Sequence, residues 1–159
     1  MTHDRVATHP DKADFVEDYL LYMLAAASEQ ASAQFHERAR KAGLRVPEWR
    51  VLACLHDYDG AMITRLAGFA LIEQSRLTRI IAQMESRGLV LRKNDPRDGR
   101  RVRVYLAQEG RALVSKLVPE ARAHEARLLA KLSNDDGAKL KTTLHALLAA
   151  LEKDDCGDN

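Results

Sequence analysis

Gln74, Ser75, Arg76, Thr78 and Arg79 place a carboxamide, two hydroxyls and two guanidiniums within one short stretch, and Arg97, Asp98, Arg100 and Arg101 crowd the turn around Gly99. A guanidinium stays charged at any physiological pH and pairs in a plane with phosphates or with the acceptor edges of bases. Hydroxyls and carboxamides add hydrogen bonds that adapt to whatever lies opposite, phosphate included. This is the chemistry of gripping a polyanion rather than of breaking bonds. The sequence contains no glycine-rich phosphate loop, nucleophile triad or paired acid constellation, so an enzyme is not expected. Six histidines are scattered too widely to form a metal signature, and neither metal nor cofactor is expected.

Charge is concentrated where these residues lie. From Arg65 to Arg103, ten Lys or Arg stand against four acids, a net +6, while the whole chain has 25 basic and 23 acidic side chains, a net +2. A local excess of this kind displaces counterions from a phosphate backbone. A merely solvated basic hairpin is the plain alternative.

The elements that must position these groups follow from spacing. Leu77, Ile80, Ile81, Met84 and Leu89 recur at helical intervals while the polar residues from Gln74 to Gln83 fall elsewhere on the cylinder, which predicts a helix from Glu73 with one dry face. Gly88 suits the left-handed residue that ends it. Val90-Leu91-Arg92 and Val102-Arg103-Val104-Tyr105 read as strands around the turn Asp95-Pro96-Arg97-Asp98-Gly99. Upstream, Pro47 fits the first turn of another helix, with Glu48 near its positive end and Trp49, Leu52, Ala53, Leu55 and His56 as the inward stripe. A short helix from Met62 to Phe69 or Ala70, with small Ala67 allowing close approach, completes a helix-turn-helix arrangement.

The flanks read as helices in need of cover. Residues 1–12 are expected to lie loose, and a helix is expected from about Asp14 to Lys41, nearly apolar all round between Tyr19 and Ala27; a partner chain is the simplest cover. After the hairpin, Gln108–Lys131 and Ser133–Glu152 read as two helices, with Pro119 expected to bend or interrupt the first and Ser133 to cap the second. The leucine stripe of the second is too thin for a lone helix. At 159 residues and 46% apolar, the chain can form a compact domain or a small domain with dimerisation helices. No run of 18 apolar residues occurs and the N-terminus lacks the order of a secretion signal, so a cytoplasmic protein without a membrane segment is expected. Cys54 sits in an apolar pattern and Cys156 in an acidic tail, which suggests neither a metal site nor a disulfide.

Pro47-Glu48-Trp49-Arg50-Val51-Leu52, Leu66-Ala67, Ser75-Arg76-Leu77-Thr78-Arg79-Ile80-Ile81, Met84-Glu85-Ser86-Arg87-Gly88-Leu89-Val90 and Asp95-Pro96-Arg97-Asp98-Gly99-Arg100, with Leu106 and Gly110, together resemble the MarR family of winged-helix transcription regulators. The resemblance implies a mainly α fold with a small β-hairpin wing. Residues 1–43 would form an arm and dimerisation helix, 44–107 a winged helix-turn-helix lobe, and 108–159 further dimerisation helices with an acidic tail. It implies a homodimer that binds an inverted-repeat operator in double-stranded DNA, with the Glu73 helix in the major groove and Arg100 of the Asp98-x-Arg100 wing tip in the minor groove. Asp98 would orient Arg100 or simply serve the turn.

The implied function is that of a repressor released by a small aromatic or amphipathic anion, such as an aromatic carboxylate or its thioester. A crevice between lobe and dimer helices would take this ligand, with Tyr19, Met23, His36, Trp49, Arg50 and Met62 as candidate lining. Ala107 and Arg45 depart from the family pattern: Thr is usual at the former, and losing its cap costs about 1 kcal/mol unless Gln108 or water substitutes; Ser or Thr is common at the latter. Two alternatives fit the same residues. One is a helical dimeric interaction protein whose basic hairpin binds nucleic acid loosely. The other is redox control through Cys54, although peroxide-sensing relatives carry their thiol in the first helix, where this chain has none.

Overall fold

A computed structural model describes residues 15–133 and 135–155, with side chains as far as Glu152. The arm expected at residues 1–12 and Cys156 lie outside the described residues. By its internal contacts the chain divides into two units, with the division after Arg38.

In the first unit, α1 (Phe15–Asp18) is followed by α2 (Leu20–Lys41), which runs on into the second. The single helix expected here is interrupted at Tyr19, whose ring stacks on Phe15 at 5.0 Å between centroids. Phe15 is 72% exposed, and Leu20, Leu21, Tyr22 and Met23 are also exposed. The apolar circumference seen in the sequence is therefore an open face.

The second unit carries α3 (Val46–Asp57), β1 (Ala61–Met62), α4 (Ile63–Ala70), α5 (Gln74–Ser86), β2 (Val90–Asn94), β3 (Val102–Leu106), α6 (Gln108–Leu129) and α7 (Asp136–Asp155). Its antiparallel sheet has the order β1-β3-β2, with Val90 opposite Leu106, Asn94 opposite Val102, and Ala61 opposite Val104. The hairpin follows the expected pattern. The two-residue β1 is too short for any periodicity, and its Met62 stands where the spacing predicts the start of a helix. The Gly60 N–H donates to the Val104 carbonyl at 2.9 Å and brings this strand to the sheet.

Val51, Leu52 and Leu55 of α3, Leu66 of α4, Leu77, Ile81 and Met84 of α5, and Val90 and Val104 of the sheet form the core, all but closed to water. Each such side chain contributes about 1.5–3 kcal/mol of burial. The buried stripe of α3 is Glu48, Val51, Leu52 and Leu55, one residue away from the expected one: Trp49 and Ala53 are half-buried and His56 is exposed. The first member of this stripe is a carboxylate covered both by its neighbour Arg45 and by the distant Arg87.

Glu48 is fully buried. It accepts the Arg45 backbone N–H at 2.8 Å, an Arg45 guanidinium N–H at 2.9 Å, and Arg87 Nη1 at 2.9 and 3.0 Å. Arg87 also donates to the Gly43 carbonyl at 2.7 Å, and Arg45 to Gln83 Oε1 at 2.6 Å. Arg45, which stands where a capping hydroxyl is common, thus begins α3 by donating to Glu48 and ties that helix to α5. Burial alone would raise the Glu48 pKa, but the hydrogen bonds from Arg45 and Arg87 outweigh it and hold the carboxyl below the ordinary glutamate value.

Between α4 and α5, Leu71 adopts the left-handed conformation (φ 54°) and is 81% exposed. Gly88 (φ 70°) ends α5 as the sequence predicts, and the Leu89 N–H returns to the Met84 carbonyl at 2.9 Å. At the start of α6, a Cβ on Gly110 would come within 2.1 Å of the Leu89 carbonyl oxygen, so only glycine lets this helix lie against the hairpin.

α6 continues through Pro119, contrary to the expected interruption. Pro119 and Ser115, the residue whose carbonyl loses its partner, are exposed, so water can take the place of the missing N–H. Buried Val114, Leu117 and His124 hold the helix on both sides of the proline. At the start of α7, the Ser133 hydroxyl donates to the Asp136 carboxylate rather than accepting a helix N–H, and it is the Asp135 carbonyl that receives the Lys139 N–H.

Two outcomes follow from these helix starts. Ala107, the first residue of α6's cap, has extended backbone and makes no side-chain cap bond. Ala107→Thr should therefore raise unfolding stability by about 1 kcal/mol in chemical denaturation. The depressed Glu48 pKa means that the unfolded chain takes up the proton more readily than the folded one. Its contribution is complete above the ordinary glutamate range and is lost as pH falls through the folded pKa. Glu48→Gln should thus be less stable at neutral pH and lose stability less steeply below about pH 4, as denaturant midpoints across pH would record.

Candidate nucleic-acid interface

Glu73 opens α5 by accepting the backbone N–H groups of Ser75 at 2.9 Å and Arg76 at 3.0 Å, together with the Ser75 hydroxyl. The Ser75 hydroxyl, followed by the two backbone N–H groups, holds the Glu73 pKa below its ordinary value. A helix N-terminus commonly offers such N–H groups to a phosphate; here a carboxylate already occupies them. The Thr78 hydroxyl donates to the Gln74 carbonyl at 3.0 Å. Of the groups expected to read a partner, Ser75 and Thr78 have therefore committed their donors within the helix. Gln74, Arg76 and Arg79 are exposed, whereas Leu77, Ile80, Ile81 and Met84 of the same helix are buried.

The wing turn is organised by Asp95, which in the sequence is only one more member of a basic turn. Its carboxylate accepts the Arg97 N–H at 2.8 Å, the Asp98 N–H at 3.3 Å and Arg103 Nε at 2.5 Å, while Arg103 also donates to the Gly60 carbonyl at 2.9 Å. The Arg97 N–H first, then the Arg103 guanidinium, keeps the Asp95 carboxyl below the ordinary aspartate range. An Asp placed before Pro, with N–H groups two and three residues on, was the available signal. Of the two roles expected of Asp98, its contacts fit service to the turn rather than a grip on the Arg100 side chain. Its carboxylate meets the Arg101 guanidinium at 3.1 Å and takes only the backbone N–H of Arg100, also at 3.1 Å. The i,i+3 spacing reaches the side chain of Arg101, whereas Arg100 is turned outward.

The ten cations between Arg65 and Arg103 therefore divide by role. Arg87, Arg92, Arg101 and Arg103 pair with Glu48, Glu85, Asp98 and Asp95. Arg65 lies 5.3 and 5.1 Å from the stacked rings of Tyr58 and Phe69, and Lys93 lies 5.2 Å from Tyr105. Among the described residues, no ion-pair partner within 4 Å holds the guanidiniums of Arg76, Arg79, Arg97 or Arg100. These four charges have no carboxylate of the described residues within 4 Å, although Arg79 is near enough to Glu73 to help lower that residue's pKa.

A cleft of about 580 Å³ joins the two groups of candidate residues, with Gln74 and Thr78 on one wall and Arg100, Arg101 and Val102 on another. Met62, Ile63 and Thr64 complete it. Helix and wing, more than twenty residues apart in sequence, thus share one concave surface. Met62, a candidate for the effector crevice, borders this cleft instead, and Arg101 Nη1 lies 3.9 Å from its sulfur. Trp49 is half-buried and Arg50 exposed on α3, whereas exposed Tyr19 and Met23 and half-buried His36 belong to the other unit. Half-buried Cys54 has its thiol pKa raised, by burial first and then by the Asp57 charge, so little thiolate is present at neutral pH.

The sequence model described as the MarR family matches residues 44–102. The crystal structure of a MarR family transcriptional regulator from Silicibacter pomeroyi DSS-3 is 60% identical and superposes with a TM-score of 0.78 over 86% of this chain and 98% of that one. The organic hydroperoxide resistance transcriptional regulator of Bacillus subtilis (strain 168) is 26% identical over 138 residues, 87% of this chain and 92% of the relative. The homoprotocatechuate degradative operon repressor of Escherichia coli is 27% identical over 147 residues, 91% of this chain and 99% of the relative. A winged helix with a polar outward face, a basic wing beside it and these similarities lead to one assignment: the chain belongs to the MarR family of transcription regulators and is not an enzyme.

Proposed function

We propose that the chain is a cytoplasmic, homodimeric, sequence-specific DNA-binding repressor, with residues 44–107 as its DNA-binding lobe. The observation that carries this reading is the outward face of α5, where Gln74, Arg76 and Arg79 stand clear of the core beside the unpaired wing arginines Arg97 and Arg100. Such a helix fits a major groove, and a guanidinium at a wing tip fits the negative potential of a narrow minor groove. Dimerisation is supported by the open apolar face of α1 and α2 and by the exposed Leu140, Leu148 and Leu151 of α7. A second copy of the chain would cover such faces.

A regulator of this kind should prefer one inverted-repeat duplex over random DNA by at least about a thousandfold at fixed salt. Its half-site centres should lie about 10 base pairs apart or at a multiple of that spacing. Arg76→Ala or Arg79→Ala should cost about 1–3 kcal/mol of discrimination at the position read. Arg100→Ala should weaken binding with less effect on major-groove sequence. Titration of variant protein against cognate and scrambled duplexes measures all of this. Equal affinity for every duplex would leave only the helical interaction protein with a loosely binding basic hairpin.

Release by a small aromatic or amphipathic anion, an aromatic carboxylate or its thioester, forms the second part of the proposal. The homoprotocatechuate relative supports that chemistry by its name. Tyr19, Met23, His36, Trp49 and Arg50 remain the lining candidates, with flat apolar surface and a few cationic or hydrogen-bonding groups. A ligand that prefers the released state a hundredfold shifts the equilibrium by about 2.7 kcal/mol. The hydroperoxide relative supports a second reading, oxidation at Cys54, against which the raised thiol pKa weighs. Aromatic acids or thioesters should raise the melting temperature and free the operator. Release by peroxide that Cys54→Ser abolishes, without any response to such acids, would replace the ligand reading with the redox one.

A further inference from the structure

The apolar face of α5 buries Leu77, Ile80, Ile81 and Met84 but does not by itself set the helix's rotation, because dispersion and burial are not directional. At a side-chain radius of about 5–6 Å, a rotation of about 10° about the axis moves a side-chain tip by about 1 Å. That is enough to spoil a hydrogen bond to a base edge. Something directional must hold the azimuth. The described contacts supply it at the C-terminal end of α5, where Arg87 grips both oxygens of Glu48 and the Gly43 carbonyl, and one turn earlier Gln83 accepts from Arg45.

Gln83 and Arg87 lie seven and eleven residues beyond Arg76, two and three helical turns along one stripe. Clamping the far end of that stripe therefore sets the direction in which Arg76 points. The clamp is rigid because its centre, Glu48, is fully closed to water and each of its oxygens receives more than one donor.

We propose that Glu48, Arg87, Arg45 and Gln83 are positioning residues that set the azimuth of the reading helix and so determine operator discrimination without touching a base. The inference rests on the DNA-reading role of α5 proposed above. Arg87→Lys keeps the charge but replaces a planar fork with a single flexible ammonium. Glu48→Gln removes the charge at a position buried too deeply to meet DNA. Each variant, assayed where circular dichroism shows it folded, is titrated with cognate operator and scrambled duplex over a range of salt.

The expected result for both variants is a loss of at least about tenfold in cognate affinity, with scrambled-duplex affinity and salt slope as in the wild type. An unchanged cognate-to-scrambled ratio in either folded variant would overturn the inference. So would an equal loss on both duplexes with a shallower salt slope in Arg87→Lys, which would mark Arg87 as a phosphate contact. Failure of the wild-type protein itself to discriminate would instead remove the DNA-reading role. Should one variant not fold, the other decides.

Discussion

A carboxylate removed from water is costly unless every lone pair is met, and Glu48 meets that condition with two arginines from different segments of the chain. Arg45 precedes α3 and Arg87 ends α5, so Glu48 ties together segments that the core only presses together, and Arg87 extends the tie to the Gly43 carbonyl between α2 and α3. No buried side-chain nitrogen or oxygen among the described residues lacks a partner. Replacing such a group with an apolar one of similar volume is often neutral for stability, so holding a geometry explains its presence better than adding energy does.

The same economy governs the wing. Asp95 spends its lone pairs on the turn's backbone and on Arg103, and Asp98 holds Arg101, so two of the hairpin's arginines brace its shape while Arg97 and Arg100 remain available. A count of charges along the sequence treats these residues as equivalent. Their difference lies in which acid each can reach, and that is set by the fold of a few residues. The net +6 already subtracts Glu85, Asp95 and Asp98, so these pairs do not lower it but decide which arginines carry it, and only Glu48, outside the segment, offsets one further charge through Arg87.

Periodicity and turn chemistry make much of the architecture legible in the sequence: the dry face of α5, its end at Gly88, the hairpin and the helices on either side. These are properties of near neighbours in the chain. Where expectation and structure part, a distant partner or an absent period is responsible. Glu48 reads as a helix-start acid until Arg87, 39 residues on, is seen to cover it. β1 has two residues and no pattern to detect, and its pairing is decided by β3, more than forty residues away. Pro119 carries a strong local rule, overridden because its side of α6 faces water and the other side is packed. In the candidate interface the residue types were legible but not their commitments: Ser75 and Thr78 look as free as Gln74 until their hydroxyl bonds are traced.

The side chains of Gln74 and Arg76 take no part in the bonds that hold α5, and a substitution at such a surface position usually changes stability by less than about 0.5 kcal/mol. What these positions recognise and what keeps the lobe folded are therefore nearly separate traits. A duplicated copy of such a gene could drift at these few positions while every intermediate remained a folded protein, and its descendants could acquire new targets without rebuilding the scaffold that presents them.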